Sequence, residues 1–402
     1  MDENLRQVLA LLAVAMMVAI FARRLRLPYT VGLVLVGATL TVSRVDLGQH
    51  LTHDLIFDLI LPPLLFEAAL ALHWRELRRD ALPILAFATL GSVIAMATIA
   101  AGMTTLLHWP LESALVFGAL IAATDPVAII AMFKDNKIGG RLKLLVESES
   151  LLNDGAAAVL FGLALDWTRA AGSESALFEP LVTLLRVVCG GVAIGAICGG
   201  LAIAFSGRTS DHLIESTLTT LAAFGSFLLA EQLHASGVLA TVATGLIVGN
   251  LGVLAHEKSA FLSVKGRAFV MSFWEFAAFF ANSFVFLLIG VDSAESSFLS
   301  HGAHVLLGAV AVVLVSRALT VYPLSLVFRP TRWAISLAEQ HVLWWGGLRG
   351  ALSLALALSL PSTLALRDEI LAVTFAVVAF SSVVQGLTMP LLLKRLGLLA
   401  KP

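Results

Sequence analysis

Charge is scarce in this sequence. Lysine, arginine, aspartate and glutamate make up 13% of its 402 residues, about half the share of a soluble domain, while 59% are hydrophobic. An ordinary soluble protein is excluded, and an all-α polytopic membrane protein is left. A net charge of −1 says nothing about partners, and no nucleic-acid partner is expected. Cysteine is nearly absent. Cys189 and Cys198 lie nine apart on one predicted helix, on opposite faces at 3.6 residues per turn, which argues against a disulfide or a metal pair. The beginning does not read as a signal peptide. It opens on the acidic MDEN, and Arg23, Arg24 and Arg26 follow the apolar run instead of preceding it, as for a first transmembrane helix.

Thirteen apolar segments approach the ~20 residues that span a bilayer. They are 5–22, 29–44, 53–72, 81–106, 111–133, 140–168, 178–206, 212–232, 235–251, 269–290, 301–328, 335–360 and 369–393. With the N-terminus outside, the inner loops hold 19 basic residues and the outer loops four: Arg6, Arg44, Arg169 and Arg367. The positive-inside rule therefore places the N-terminus out and the C-terminus in the cytoplasm, in the cell (inner) membrane. Arg186, Arg317 and Arg349 fall within spans. No segment of these residues is long or polar enough for a soluble domain.

Two spans are interrupted. The fifth carries Thr124-Asp125-Pro126 at its middle and the twelfth Gly346-Gly347-Leu348-Arg349-Gly350. Pro126 removes a backbone donor and disfavours helix at Asp125. Each break is in the second helix of a three-helix group, spans 4–6 and 11–13, and the groups start on opposite sides. Paired broken helices in inverted repeats point to a transporter with its site at the midplane.

The acidic residues gather there. Asp125, Glu149 and Asp154 sit in apolar sequence, where a charge costs on the order of 3 kcal/mol on insertion scales. Ser150 and Asp154 are i, i+4 and share a face of the sixth helix, as do Glu149 and Asn153 on a neighbouring face. Two carboxylates, the hydroxyls and nearby carbonyls are hard oxygen ligands. They suit a small monovalent cation or a proton and not zinc. The plainer alternative makes Asp125 a helix-end cap and Asp154 a buried hydrogen-bonding group. Glu149 is expected to pair with Arg317. Glu67, in LPPLLFEAAL, either pairs with Arg349 or gates proton access, and Arg349 is placed to neutralise the half-helix dipole at its own break. Glu147 lines an inward funnel or sits in the headgroups.

At these residues the chain resembles the monovalent cation–proton antiporters of the NhaP/NHE type, the sodium/proton exchangers. The matching pieces are LPPLLFEAAL, ATDPVAI, ESESLLNDG, SRALTVYPL and GGLRGALSLALALSLP, in the family's order along most of the chain. The resemblance implies a homodimer working by elevator-type alternating access. Its transport core would be helices 4–6 (81–170) and 11–13 (296–402). The dimerisation domain would come from helices 1–3 (1–80) and, with a linker, 7–10 (171–295). It implies Na+ bound by Thr124, Asp125, Ser150 and Asp154, supported by Glu149, Asn153 and Arg317. The family's Glu-Gly-Glu-Ser reads Glu147-Ser148-Glu149-Ser150 here.

The expected function is exchange of Na+, or Li+ or K+, for H+ across the membrane, electroneutral at 1:1, with both ions competing for Asp154 and Asp125. It needs no cofactor and involves no enzymatic step. A K+-selective antiporter is the nearest alternative. A channel would need a continuous polar pore, and an intramembrane hydrolase would use the aspartates as a dyad. A sodium-coupled symporter would need a cavity for an organic anion. Against these, the acids cluster at one depth with no ring-like repeat, both aspartates come from one half of the inverted repeat with no G-x-S-x-G elbow, and nothing supplies a clear anion cavity.

Overall fold

The structure, a computed structural model, describes residues 2–25, 28–43, 51–169, 178–255, 260–295 and 302–398. Arg26, Arg44, Lys258 and Lys401 and the domain boundaries at 171 and 296 lie outside the described residues, as do the side chains of Arg6, Arg23 and Arg169.

Each of the thirteen apolar segments is helical. They are α1 (Asp2–Leu25), α2 (Tyr29–Val42), α3 (a π-turn Leu55–Ile60 continuing as Leu61–Ala71), α4 (Ala81–Leu107), α5 in two halves (Leu111–Leu120, Val127–Asp135) and α6 (Arg141–Arg169). There follow α7 (Phe178–Ser206), α8 (His212–Gln232), α9 (Gly237–Val253), α10 (Val264–Glu295), α11 (Ala303–Phe328), α12 in two halves (Leu337–Trp345, Ala351–Leu358) and α13 (Arg367–Arg395). No strand occurs among the described residues. Six of the thirteen (α4, α7, α8, α10, α11 and α13) are each long and apolar enough to cross a membrane alone. The tenth helix exceeds the expected 269–290 at both ends, because polar residues extend it past the apolar stretch. Leu and Ile side chains on α4, α7, α8 and α11 remain exposed, the surface that lipid covers.

Packing joins α4 to α5, α11 and α6, and separately α2 to α10, α9 to α3, and α7 and α8 to α9. Small residues bring these helices close. A Cβ at Gly37 would run into the backbone of α10 at Leu287, and one at Gly290 into the backbone of α2 at Val34. Helix starts carry their own caps: Asp211 accepts from Leu213 N, Ser236 from Leu239 N, and Ser336 forms a capping box with Glu339. Each supplies an acceptor that the first turn lacks.

The start of α10 is capped from another helix. Glu215 of α8 is fully buried and accepts from Ser263 N and Ser263 Oγ, both at 2.9 Å. A Cβ at Gly266 would overlap its Oε2. Gly266→Ala is therefore expected to push this carboxylate off its donors, costing about 1–3 kcal/mol and lowering the thermal midpoint in detergent. An unchanged midpoint would refute the cap.

Candidate functional site

The breaks in α5 and α12 meet at the centre of the bundle. Asp125 N donates to Leu348 O at 2.8 Å, joining the two extended segments. Their glycines are close-approach positions: a Cβ at Gly350 would overlap the Asp125 carboxylate, and one at Gly347 would overlap Arg317 Nε. The GGLRG sequence thus clears space for two charged groups as well as interrupting a helix.

A broken helix exposes a negative carbonyl end and a positive N–H end. At the N–H ends, Asp125 Oδ1 accepts from Val127 N at 3.0 Å, and the same carboxylate meets the N–H of Ala351. These residues open the second halves of α5 and α12, so one carboxylate faces two helix N-termini. At the carbonyl ends stand two arginines. Arg317 Nε and Nη2 donate to Leu343 O at 3.2 and 3.1 Å, in the last turn of α12's first half. Arg349 Nη1 donates to Ala122 O and Ala123 O at 2.8 and 2.9 Å, at the end of α5's first half.

Arg349 differs from expectation in both respects. The dipole it serves belongs to α5, because the carbonyl end of its own helix is already taken by Arg317. It does not pair with Glu67 either. Glu67 is half-buried on α3 with no hydrogen bond or ion pair among the described residues, and its charged surroundings are Lys134, Lys143, Glu147 and Glu275. The charges of Asp125 and Glu67 both act on Tyr29 of α2. Glu147 pairs with Lys143 at 3.4 Å.

The remaining expected residues lie on α6 and do come together. Glu149, 3% exposed, receives Arg317 in a fork: Nη1 to Oε1 at 2.8 Å and Nη2 to Oε2 at 3.0 Å. Ser150 Oγ donates to Thr124 O at 2.5 Å. Asn153 Nδ2 donates to Ala122 O at 3.1 Å and to Thr124 Oγ1 at 3.2 Å. These bonds stitch the α5 break to α6. Both hydroxyls donate or accept here and retain lone pairs for a cation. A small cavity lies against them, lined by Thr124, Glu149, Ser150, Arg317 and Gly346.

Asp154 is the exception. It sits one turn beyond Ser150, half-buried, facing Asp125 and Glu149, and has no hydrogen bond or ion pair among the described residues.

Sequence reasoning missed Ser92. On α4, buried, it donates to Asn153 Oδ1 at 2.7 Å and to Ala88 O at 2.6 Å, and so fixes which face of the Asn153 amide looks at the break. It also missed Ser381 and Gln385 on α13, buried beside the α12 break. The available signal was polar residues spaced i, i+4 in an apolar span, the same spacing as Ser150 and Asp154.

Residues 10–395 match the family model for the transmembrane part of sodium/hydrogen exchangers. The chain is 40% identical over 407 residues to the Na(+)/H(+) antiporter ApNhaP of Aphanothece halophytica, covering 99% of this chain and 76% of that one. It is 34% identical over 366 residues to the Na(+)/H(+) antiporter NhaP of Pseudomonas aeruginosa, covering 88% and 83%. Its fold is similar to the sodium proton antiporter MjNhaP1 of Methanocaldococcus jannaschii, with a TM-score of 0.75 at 20% identity, covering 98% of this chain and 99% of that one. A crossed pair of broken helices, charge-compensated at every end, and a family match over nearly the whole length agree: the chain belongs to the sodium/hydrogen exchanger family.

Proposed function

We propose that this protein exchanges Na+ for H+ by letting both compete for Asp154. The observation that carries the reading is the carboxylate of Asp154, which makes no hydrogen bond or ion pair among the described residues, whereas Asp125, Glu149, Arg317 and Arg349 at the crossing are each engaged. A carboxylate withdrawn from water must be neutralised, and here only a transported ion is left to do it. Asp154, the Ser150 and Thr124 hydroxyls and Asp125 supply hard oxygens for Na+. A proton on Asp154 removes its charge and so displaces the metal.

Counting charge gives the stoichiometry. Arg317 and Arg349 stand against Glu149, Asp125 and Asp154, and the four half-helix ends cancel at about half a charge each. The empty centre carries one net negative charge, and one Na+ or one H+ brings it to zero. Asn153, next to Asp154, adds no second proton. Exchange is therefore 1:1 and electroneutral. Crossing empty would carry one uncompensated charge, about 3 kcal/mol on insertion scales, or a factor of about one hundred. That penalty couples the two fluxes.

The moving part is α4–α6 with α11–α13, held together by the bonds at the crossing. The other helices form the static part and the homodimer, with the N-terminus outside and the C-terminus cytoplasmic. Lys134 Nζ and Glu275 Oε1, 2.9 Å apart, join α5 to α10 across that division. Cysteines placed at 134 and 275 in a protein lacking Cys189 and Cys198, then cross-linked, are expected to arrest exchange reversibly. Exchange at the uncross-linked rate would show that these helices do not move past each other.

The decisive experiment uses proteoliposomes with an acid interior and a pH-reporting dye. Each alkali cation is added in turn with the membrane potential clamped. Dequenching on Na+ addition, at a rate independent of the clamp, is the expected result. Absence of cation-driven proton movement would reject antiport, and dependence on the potential would reject 1:1. Preference for K+ would select the nearest alternative.

A further inference from the structure

We infer that Ser381 and Gln385 of α13 are positioning residues for the cation site, acting on it through Arg349. Nothing in the exchange chemistry above uses them, and the inference rests on that reading of the site.

Both side chains are buried, 1% and 3% exposed. They bracket a π-turn, Ser381–Gln385, inserted in an otherwise α-helical span. Such turns are rare and recur at functional sites. Here the turn aims both side chains at the α12 break. Gln385 Nε2 donates to Trp345 O at 2.9 Å, the last carbonyl of α12's first half, which the break leaves without a helical partner. Ser381 Oγ accepts from Arg349 N at 3.0 Å and itself donates to Val378 O at 2.9 Å. The extended segment is thereby pinned on both sides of Gly346–Gly350.

What is pinned is the base of Arg349. Its side chain reaches away from α13 to Ala122 O and Ala123 O. Those carbonyls adjoin Thr124, whose carbonyl and hydroxyl receive Ser150 and Asn153. Ser381, Arg349 and the end of α5 form one chain of contacts that ends one residue from the proposed ligands. The other edge of the guanidinium is free of constraint: Arg349 Nε, though buried, has no hydrogen-bond partner among the described residues. It lies beside a small cavity lined by Arg317, Gly347, Arg349, Ser381 and Gln385. The side chain is thus held at its tip by Ala122 O and Ala123 O and at its backbone by Ser381, with nothing holding Nε between them among the described residues. The arrangement mirrors the first repeat, where Ser150 and Asn153 of α6 pin the break in α5.

Ser382 supplies the control. It is in the same π-turn and 2% exposed, but its hydroxyl has no partner among the described residues. Ser381→Ala, Gln385→Met and Ser382→Ala would be purified and reconstituted. The apparent KM for Na+, the maximal rate and the pH of half-maximal rate would be measured, with the thermal midpoint in detergent. Loss of either positioning bond is expected to raise KM by up to about tenfold, the upper end for one neutral hydrogen bond, and to move the pH profile. The maximal rate should stay within about twofold. Ser382→Ala should leave KM and profile in place. Two independent variants guard against one failing to fold. The inference is overturned if the thermal midpoints fall while KM and the pH profile stay put, or if Ser382→Ala raises KM as much as Ser381→Ala. Failure of the unmodified protein to exchange Na+ for H+ would instead remove the function itself.

Discussion

Asp154→Asn is expected to abolish Na+/H+ exchange, by at least the hundredfold that one buried charge sets, while leaving the protein as stable as before or more so. The amide matches the carboxyl in size but can neither take up a transported proton nor offer a negative charge to Na+. No hydrogen bond or ion pair among the described residues is broken, since Asp154 makes none, and its repulsion with Asp125 and Glu149 disappears. The thermal midpoint should therefore hold or rise. In the unmodified protein, Na+ should raise that midpoint, as a ligand bound only by the folded state does. The rise should be larger at alkaline pH, because at lower pH the proton holds the site. The variant should show no Na+-dependent rise at any pH. Retained exchange, or a Na+ shift that persists in Asp154→Asn, would remove Asp154 from the site.

Asp125→Asn makes an instructive contrast. It too should stop exchange, but with a loss of stability. The side chain can still accept from Val127 N, yet the charge that faces two helix N-termini is gone, worth up to about 2 kcal/mol at each in a partly buried setting. The helix-cap role and the ligand role, which sequence set against each other for this residue, are compatible. A carboxylate held by two N–H ends remains a hard oxygen donor toward the centre. Of the two aspartates, Asp154 has the freer charge, and it is the one on which the ions compete.

All thirteen spans, both breaks and the Glu149–Arg317 pair could be read in advance because each leaves a one-dimensional trace. Apolar runs have a length, Pro126 and the GGLRG glycines interrupt them, and a buried acid demands a buried base. The wrong partner for Arg349 shows where that reading ends. Choosing among a dipole on its own helix, Glu67 and the carbonyls of Ala122 and Ala123 depends on how two broken helices cross. Side-chain reach across a crossing is set by helix rotation and depth, which periodicity does not encode. Ser92 was hidden for a related reason. A serine in an apolar helix commonly bonds its own backbone, and Ser92 does so with Ala88 O. Its second bond, to Asn153, exists only because α4 packs beside α6. Glu67 points the other way: it stands out in the sequence, and the structure gives it charged surroundings but no hydrogen bond or ion pair among the described residues.

Arg317→Ala is expected to cost about 3–5 kcal/mol, because it leaves Glu149 charged, buried and unpaired. Three terms contribute. The fork to Glu149 is lost, the Leu343 carbonyl loses both donors, and the cavity beside Ser150 enlarges. Arg317→Lys restores the charge but not the fork, since an ammonium is a point donor and the guanidinium spans both carboxylate oxygens. It should recover part of the stability. The double variant Arg317→Met, Glu149→Leu tests whether the pair is there for stability or for transport. Replacing a buried ion pair with apolar side chains is often neutral for folding, and removing one charge of each sign keeps the net charge of the centre at minus one. Folding should return close to that of the unmodified protein, and exchange should remain electroneutral at a reduced rate, since Leu343 O is still uncapped. Thermal unfolding of the three variants, with the clamped-potential assay on the double variant, decides the matter. If the double variant folded well and its exchange followed the membrane potential, the charge count would be wrong, and with it the claim that one ion balances the centre.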